Sequence, residues 1–352
     1  MSDAPDLAGL RRPMPRHGHD TVQLAHGAGG RLSADLIETF ILPRFANPAL
    51  ARLEDQAVLD LPACRLAFST DTFVVTPLEF PGGDIGDLAI NGTVNDVAMC
   101  GARPLFLSVG FVLEEGLPLA IFHRVLCSME TAAGRAGVTV VTGDTKVVDR
   151  GSCDGLFINT SGVGVLAAGL DLSSANLRPG DAVIVSGTLG DHGMAVMTAR
   201  EGLSFRSSVR SDTAALNGLV AAVLAACPGV RAMRDPTRGG LATTLNEFAA
   251  ASRVGLALDG EAIPVRDDVM AVCEILGIDP LYVANEGKLV AVVPGETADT
   301  VLAAMRDHEH GRAAAVIGRV VAEHPGIVAL RTALGTERIV DMPAGEQLPR
   351  IC

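Results

Sequence analysis

Residues 85–112 read IGDLAINGTVNDVAMCGARPLFLSVGFV and carry the clearest pattern of secondary structure in the chain. Its first part, 85–99, carries apolar residues at helical spacing, whereas 105–112 is a short apolar run that follows a glycine and a proline, as a strand does. A second helix is predicted over 117–136, and strands follow at 138–141 and 155–166. Helices that alternate with strands predict a mixed α/β domain.

The same alternation continues on both sides of this stretch. Strands are predicted upstream at 65–69 and 72–76, and a turn at 177–181 leads into a strand at 182–186 that begins a second α/β domain. Its predicted helices span 213–226, 241–251, 265–276 and 297–308, and its predicted strands span 254–258, 289–293, 314–321 and 327–331.

These patterns divide the chain into four parts. Residues 1–20 mix Pro, Arg, His and Asp without periodicity and predict a disordered leader. We expect an N-terminal domain over 21–168, a C-terminal α/β domain over 169–338, and a flexible tail over 339–352.

Composition excludes several classes of function. The net charge of -13 and the aromatic content of 3%, with no Trp, disfavour nucleic-acid binding. No apolar run reaches the roughly 18–20 residues that cross a bilayer, and the first residues lack the apolar core of a signal peptide. A chain of 352 residues with 48% hydrophobic content predicts two packed domains in the cytoplasm.

The cysteines do not form a framework, but one of them ends the chain. There are seven, with no CxxC pair, so neither a disulfide scaffold nor a zinc site is indicated. Cys352 is the last residue, and a thiol on a free terminus could carry a group between sites. An incidental terminal cysteine is the alternative interpretation.

Lysine is rare in this chain. Of 28 basic residues only Lys146 and Lys288 are lysine, and an ammonium differs from a guanidinium in its tunable pKa. They lie in the glycine-containing motifs GDTK (143–146) and NEGK (285–288). A carboxylate and an ammonium beside one substrate could share proton transfer, and surface ion pairs are the alternative.

A glycine cluster, HGAGG (26–30), precedes a helical pattern that begins near Leu32. Glycine lets backbone N–H groups surround an anion, and a helix start adds a favourable dipole. The cluster lacks the Lys-Ser/Thr of a Walker motif and the spacing of a dinucleotide fingerprint. A structural glycine turn is equally compatible with it.

Acidic residues recur in predicted loops at strand ends. They are Asp55, Asp71, Asp96 and Asp144. Carboxylates suit Mg²⁺, which commonly holds nucleotide phosphates through one or two of them and several waters. The alternative is that these side chains cap helices and stabilise turns.

Two further motifs could bind anions or catalyse. RDPTRGGL (234–241) opens a predicted helix, where Arg238 and free backbone N–H groups could hold a phosphate or carboxylate; a cap by Thr237 is the alternative. GTLGDHG (187–193) is ambiguous, because His192 fits a turn as well as a catalytic role.

Together these motifs resemble a family of ATP-dependent enzymes that includes aminoimidazole ribonucleotide synthetase, selenophosphate synthetase and thiamine monophosphate kinase. Within it, the chain is similar to the carbamoyl dehydratases of NiFe-hydrogenase maturation. The terminal block LPRIC (348–352) is the most specific, since the wider family lacks such a tail. The other blocks are QLAHGAGG (23–30), STDTFVVTPLEFPGGDIG (69–86), NGTVNDVAMCGARP (91–104), GFVLEEGLP (110–118), VTGDTKVVDRG (141–151), VSGTLGDHG (185–193), RDPTRGGL (234–241) and ANEGKL (284–289).

The resemblance implies a fold, cofactors and ligands. It implies an α/β (α+β) protein of two mixed domains of the aminoimidazole ribonucleotide synthetase-like type, with residues 21–168 binding ATP and pairing with their twin in a homodimer. The implied cofactors are ATP and Mg²⁺. Carried over to this chain, the nucleotide ligands are Gly27, Gly29, Gly30, Asp55, Asp71, Asn95, Asp96, Asp144 and Thr145, and the four aspartates are also the metal ligands.

The resemblance also implies a reaction. A HypF-type carbamoyltransferase would place a carbamoyl group on Cys352, and ATP would drive its dehydration to a thiocyanate. Glu286 would accept a proton, and Lys146 would stabilise developing negative charge. The cyanide would then pass to a scaffold of HypC and HypD that assembles the hydrogenase iron centre.

Two other functions fit parts of the sequence. A small-molecule kinase of the same superfamily would turn over ATP on a free substrate and would not need Cys352. A non-catalytic thiol carrier or metal-delivery scaffold would bind partners without hydrolysing ATP, and the acidic loops argue against it.

Overall fold

The computed structural model describes residues 18–27, 31–50, 64–200, 208–343 and 350–352. Gly29, Gly30, Asp55 and most of the predicted leader lie outside these residues, and so does the tail segment 344–349.

A four-stranded sheet forms the first half of the chain. After the short helices α1 (Arg31–Leu36) and α2 (Leu42–Phe45) come β1 (Arg65–Phe73) and a small ribbon of β2 (Glu79–Phe80) and β3 (Gly83–Asp84). The sheet is completed by β4 (Arg103–Glu114), β5 (Thr139–Val148) and β6 (Leu156–Leu166), in the order β1-β6-β4-β5. Of these strands, only the pair β4 and β5 is parallel. Because β1 and β5 stand at the two ends of the order, they are the edge strands of this sheet.

Two helices, α3 (Ile85–Met99) and α4 (Leu119–Ala136), pack on one face of this sheet. The carboxylate of Asp84 accepts bonds from the backbone N–H groups of Gly86 and Asp87, at 2.9 and 3.1 Å, and so caps the start of α3. Gly137, with φ 69°, ends α4 in the left-handed conformation that glycine tolerates. The opposite face is open, and Phe68 is 70% exposed on it.

A seven-stranded mixed sheet forms the second half. Its strands are β7 (Ala182–Val185), β8 (Ala232–Arg234), β9 (Gly255–Asp259), β10 (Val290–Val293), β11 (Ala315–Val321), β12 (Val328–Arg331) and β13 (Glu337–Ile339), in the order β13-β12-β9-β11-β7-β10-β8. The helices around it are α5 (Asp191–Ala199), α6 (Asn217–Ala226), α7 (Gly240–Ser252), α8 (Asp267–Leu276) and α9 (Ala298–Asp307). Within the described ranges, no helix is long and apolar enough to span a membrane.

The two halves are joined by packing and by specific hydrogen bonds. Ala98 and Met99, at the end of α3, belong to a core cluster made mostly of residues from the second half. The buried amide of Asn95 donates to the carbonyl of Ala214 at 3.0 Å and accepts from the N–H of Leu216 at 2.8 Å. Ser211 donates its N–H to the carbonyl of Pro81 at 2.7 Å. These contacts fix the cleft between the two sheets.

Two of the sequence predictions are corrected here. Asp71 was expected in a loop between two strands, but β1 runs without a break through it. Asp144 was expected just beyond a strand, but β5 continues seven residues past Val141 and contains both Asp144 and Lys146. The physical reason is that pairing with the neighbouring strand continues through both residues, Asp71 with Thr160 and Asp144 with Gly110. Asp144 also lies on the open face of an edge strand, where a polar side chain remains solvated.

Candidate active site

The last three residues of the chain are held in the cleft between the two halves. Ile351 is 5% exposed and packs in the core cluster of the first half. Its carbonyl lies 2.6 Å from Nε2 of His192, and the carbonyl of Cys352 accepts the N–H of Val74 at 3.3 Å. Arg350 pairs with Asp154 at 2.5 Å. The end of the predicted flexible tail therefore has a defined binding position.

The terminal thiol faces one cation and several carboxylates. Nη2 of Arg238 lies 3.3 Å from Sγ of Cys352. Burial, followed by the negative charge of Glu286, raises the pKa of the Cys352 thiol to about 11, while Arg238 acts in the opposite direction. The bound thiol is therefore protonated at neutral pH and is a poor nucleophile in this position.

Glu286 is buried beside the thiol on a loop that precedes β10, and it is 3% exposed. The loop is held at both ends of this residue, because the N–H of Glu286 donates to Asp212 at 3.2 Å and its carbonyl accepts from Asn95 at 3.3 Å. Within the described chain, Oε1 of Glu286 has no hydrogen-bond partner. Burial, then the charges of nearby carboxylates, raises its pKa well above 4.5.

Three more carboxylates surround this point. Burial raises the pKa of Asp71 and the pKa of Asp96. Burial also raises the pKa of Asp235, to about 7, and the negative charge of Asp96 adds to this effect. Asp96 accepts from Ser69 at 2.8 Å. In the described ranges no three His, Cys, Asp or Glu residues converge as a ready metal cage. The arrangement instead suits a cation that shares one or two carboxylates with a phosphate-bearing ligand.

The GDTK motif lies apart from this group. Thr72 pairs with Asn159, Asn159 with Gly110, and Gly110 with Asp144, so Asp144 and Thr72 lie in one row across the sheet. Three strand spacings separate them by about 14 Å. Residues in one row share a face, which places Asp144 on the open face, whereas the neighbouring Asp71 points to the helix-covered side.

Lys146 lies on the same open face and pairs with Asp144 at 2.6 Å, with both side chains more than 60% exposed (63% and 68%). The hydrogen bond from Lys146 lowers the pKa of Asp144. Within one chain, then, the structure brings Cys352, Glu286, Asp71 and Asp96 together and leaves Asp144 and Lys146 on another surface. Thr145 lies in the row of Phe111, Ile158 and Phe73 and points to the helix-covered side. That Lys146 and Glu286 flank the thiocarbamate stays a prediction, and within a single chain Lys146 lies on the open face, away from Glu286.

The remaining predicted ligands have the following places. Gly27 ends a 3₁₀ turn, Leu24–Gly27, and Gly29, Gly30 and Asp55 lie outside the described residues. The amide of Asn95 is engaged by Ala214, Leu216 and Glu286, so its contacts are those of a residue that positions Glu286.

Sequence reasoning missed two residues of this site. Asp212, which holds the Glu286 loop and pairs with Lys288 at 3.0 Å, carried no motif. Asp235 was quoted only as part of the motif at 234–241, whereas Arg238 in the same motif was singled out as a candidate anion-binding group and lies 3.3 Å from Sγ of Cys352. His192 was left undecided between a turn and a site residue, and its contact with Ile351 could not be read from sequence.

Comparison with known proteins assigns the chain to a family. Residues 53–166 match the N-terminal domain of AIR synthase related proteins, and residues 178–331 match their C-terminal domain. A carbamoyl dehydratase HypE from Azotobacter vinelandii is 55% identical over 332 residues, which are 94% of this chain and 97% of the relative. This chain belongs to the HypE family.

Solved structures of HypE agree with the fold described above. HypE in complex with ATP superimposes with a TM-score of 0.90 at 50% identity, covering 94% of this chain and 99% of the other. HypE from a complex with HypF superimposes with a TM-score of 0.77 at 46% identity, covering 89% of this chain and all (100%) of the other. The expected two-domain mixed fold of the AIR synthase type is confirmed.

Proposed function

We propose that this chain is an ATP-dependent carbamoyl dehydratase of hydrogenase maturation whose substrate is its own C-terminus. It converts an S-carbamoyl group on Cys352 into an S-cyano group, and ATP becomes ADP and phosphate. Its membership of the HypE family, at 55% identity to a carbamoyl dehydratase, supports this activity.

One observation carries the proposal. The thiol of Cys352 lies inside the cleft, 3.3 Å from Arg238, and the negative charge of Glu286 adds to burial in raising the thiol pKa. A small-molecule kinase would keep this position for a free substrate, whereas here the chain fills it with its own last residues. A passive carrier would not need a buried cluster of carboxylates around its thiol.

The chemistry balances with these residues. The carbamoyl oxygen is a poor leaving group, so it attacks the γ-phosphorus of ATP and releases ADP. One N–H proton leaves as the oxygen is phosphorylated, which gives an imidate. The carbon–oxygen bond then breaks, phosphate leaves with that oxygen, and the second N–H proton is lost to form the nitrile. Arg238 stabilises negative charge beside the group, and Glu286 is placed to accept the proton. Acceptance requires the carboxylate form, although its pKa is raised in the protein alone.

The donor set fits Mg²⁺ and ATP. The charges of Asp71 and Asp96 raise the pKa of Glu286, which supports their lying near it, and hard oxygen donors are what Mg²⁺ prefers. Asp71 and Asp96 would hold the metal, together with Asp55, and Gly27, Gly29 and Gly30 would hold phosphate. When bound, Mg²⁺ neutralises phosphate charge during transfer. The solved HypE structure in complex with ATP supports nucleotide binding here.

A homodimer would complete the site. The open face of the first sheet exposes Leu66 and Phe68, at 53% and 70%, which is costly for a sheet that remains alone in water. Pairing this face with a second copy would bury both residues. It would also carry Asp144 and Lys146 toward the partner's cleft, which would restore their predicted roles in metal binding and charge stabilisation.

The partners follow from the substrate. A carbamoyl group must be supplied to a released tail, and the solved HypE–HypF complex supports a HypF-type carbamoyltransferase as the donor. The cyanide would be passed to a scaffold of HypC and HypD. The cytoplasmic location remains a prediction.

Intact-mass spectrometry tests the proposal. The chain is incubated with HypF and carbamoyl phosphate, then with or without MgATP, and compared with Cys352→Ser. We expect a carbamoyl adduct that loses the elements of water only with ATP, and no adduct on the variant. An unmodified native chain that still hydrolyses ATP, with HypF shown to be active on a known acceptor, would contradict the proposal.

A further inference from the structure

His192 is a buried group that the reaction does not use. It is the second residue of α5, it is 0% exposed, and its ring stands edge-on to Phe80 with centroids 5.4 Å apart. Its two ring nitrogens are both engaged. Nδ1 lies 2.8 Å from Oγ of Ser211, and Nε2 lies 2.6 Å from the carbonyl oxygen of Ile351.

These two contacts fix the state of the ring. A carbonyl can only accept, so Nε2 must carry a hydrogen and donate it to Ile351. Burial lowers the pKa of His192 and favours the neutral ring. Nδ1 of the neutral ring is then an acceptor, and the hydroxyl of Ser211 donates to it. Ser211 therefore holds the tautomer that binds the tail.

We propose that His192, oriented by Ser211, is a positioning residue. It binds the carbonyl of the penultimate residue of the tail, Ile351, and thereby fixes the position of Cys352 relative to Glu286. The inference rests on the proposed function, because only there is the tail the substrate.

The chain around Ser211 connects this contact with the base. Its neighbour Asp212 accepts the N–H of Glu286 at 3.2 Å, and Ser211 itself is anchored to Pro81 at 2.7 Å. Two adjacent residues thus position both groups: Ser211 holds the tail carbonyl through His192, and Asp212 holds the Glu286 backbone. The contact of His192 is with the backbone carbonyl of Ile351 and not with its side chain. It therefore fixes how far the tail enters the cleft, whereas the groups around the thiol, Arg238 and Glu286, select the last residue.

Two substitutions separate positioning from folding. His192→Phe keeps a ring beside Phe80 but cannot donate to Ile351. His192→Gln offers an amide N–H to the carbonyl and an amide oxygen to Ser211. Ser211→Ala keeps the histidine and removes only the group that orients it. His308→Phe is a control at a histidine that is distant in sequence and whose Nδ1 accepts from the backbone N–H of His310 at 3.2 Å.

The first readout is alkylation of Cys352 by iodoacetamide at pH 8, followed on the C-terminal peptide without ATP or HypF. Loss of one hydrogen bond to a buried carbonyl corresponds to about tenfold in tail release. We expect about tenfold faster alkylation in His192→Phe, a smaller increase in Ser211→Ala, and rates within about threefold of native in His192→Gln and His308→Phe.

The second readout is ATP-driven cyanation of pre-carbamoylated chain in a single turnover. We expect a rate about tenfold lower in His192→Phe, an unchanged KM for ATP, and recovery in His192→Gln. Native alkylation in a folded His192→Phe, or equal impairment by Phe and Gln, would overturn the inference. If His192→Phe does not fold, native alkylation in Ser211→Ala overturns it. Should alkylation follow the expected pattern while native chain is never cyanated, the positioning role stands and the proposed function fails.

Discussion

The guanidinium of Arg238 lies 3.3 Å from the sulfur of Cys352 and connects the start of α7 to the last residue of the chain. The two residues are distant in sequence, and their contact places a fixed positive charge beside the thiol that lowers its pKa against the larger effect of burial. A carbamoyl group on this sulfur would lie within reach of the same guanidinium. Arg238 is therefore placed to stabilise the charge that develops on the phosphorylated oxygen.

Replacing Arg238 with Gln should slow cyanation without affecting carbamoylation. Removing one donor aimed at developing charge typically costs about 10²–10³ in rate. Carbamoylation by HypF acts on the released tail and should be within about threefold of native. Single-turnover intact-mass kinetics measure both steps, and Arg238→Lys is the matched control that keeps the charge. An unchanged cyanation rate in Arg238→Gln would remove this residue from the mechanism.

Replacing Glu286 with Gln should remove the proton acceptor but keep its shape. General-base groups contribute about 10²–10⁴ in rate, so we expect a loss in this range with nucleotide binding intact. The measurement is cyanation of pre-carbamoylated chain together with calorimetric ATP binding. Glu309→Gln, at a solvated carboxylate, is the control. Native turnover by Glu286→Gln would show that another group takes the proton.

The same substitution should change the pH dependence of stability in the protein without nucleotide. Burial raises the pKa of Glu286 in the folded state, so the folded chain binds a proton that the unfolded chain releases above about pH 4.5. Stability of the native chain is therefore lost as pH rises from there toward the folded pKa. We expect Glu286→Gln to have a higher Tm than native at pH 7.5 and a similar Tm at pH 4. A lower Tm for Glu286→Gln at pH 7.5 would contradict the assigned shift.

The ion pair of Lys288 and Asp212 should matter for folding as well as for the site. Its side chains are 12% and 5% exposed, and they lie 3.0 Å apart. Lys288→Ala leaves a buried carboxylate unpaired and should cost about 3–5 kcal/mol. Arg331→Ala breaks a pair whose cation is 60% exposed and should cost about 0–1 kcal/mol. Denaturant unfolding of both variants measures the difference, and equal losses would argue against a buried role for Lys288.

Mixed dimers should show whether Lys146 acts across the interface. Each of the variants Lys146→Ala and Cys352→Ala should be inactive as a pure dimer. If the lysine serves the partner's cleft, a mixed dimer contains one complete site, in which the thiol of one chain faces the lysine of the other. Co-expression with two different tags isolates that dimer, and we expect about half of native turnover. Activity no greater than that of the pure variants would place Lys146 in its own chain's site or outside the mechanism.

Local signals predicted the regular elements well. The helix predicted over 85–99 is confirmed to the residue, since Asp84 caps its start and a Gly follows Cys100 at its end. Strands 290–293 and 315–321 lie within one residue of their predicted bounds, because short runs rich in the β-branched residues Val and Ile favour a strand. By contrast, α5 was missed, because Gly190, His192 and Gly193 resemble a turn when their contacts with the 284–285 loop are unknown.

The sequence indicated which residues to consider for the site, but it did not indicate how those residues are arranged in space. Arg238, Glu286 and Cys352 could be singled out because each lies in a motif. That Asp144 and Lys146 lie on the open face depends on strand register, which is set by non-local pairing. The burial of the tail depends on His192, Val74 and Arg238, which belong to three separate parts of the chain. No local pattern contains that information.

The most direct test follows the oxygen atom. Chain carrying an ¹⁸O-labelled carbamoyl group on Cys352 is mixed with MgATP in a single turnover, and the released phosphate and the intact protein are weighed by mass spectrometry. We predict one labelled phosphate for each cyano group formed, because in the proposed mechanism the carbamoyl oxygen leaves with phosphate. Unlabelled phosphate with an unchanged carbamoyl group, or a cyano group formed while the label enters water, would contradict it.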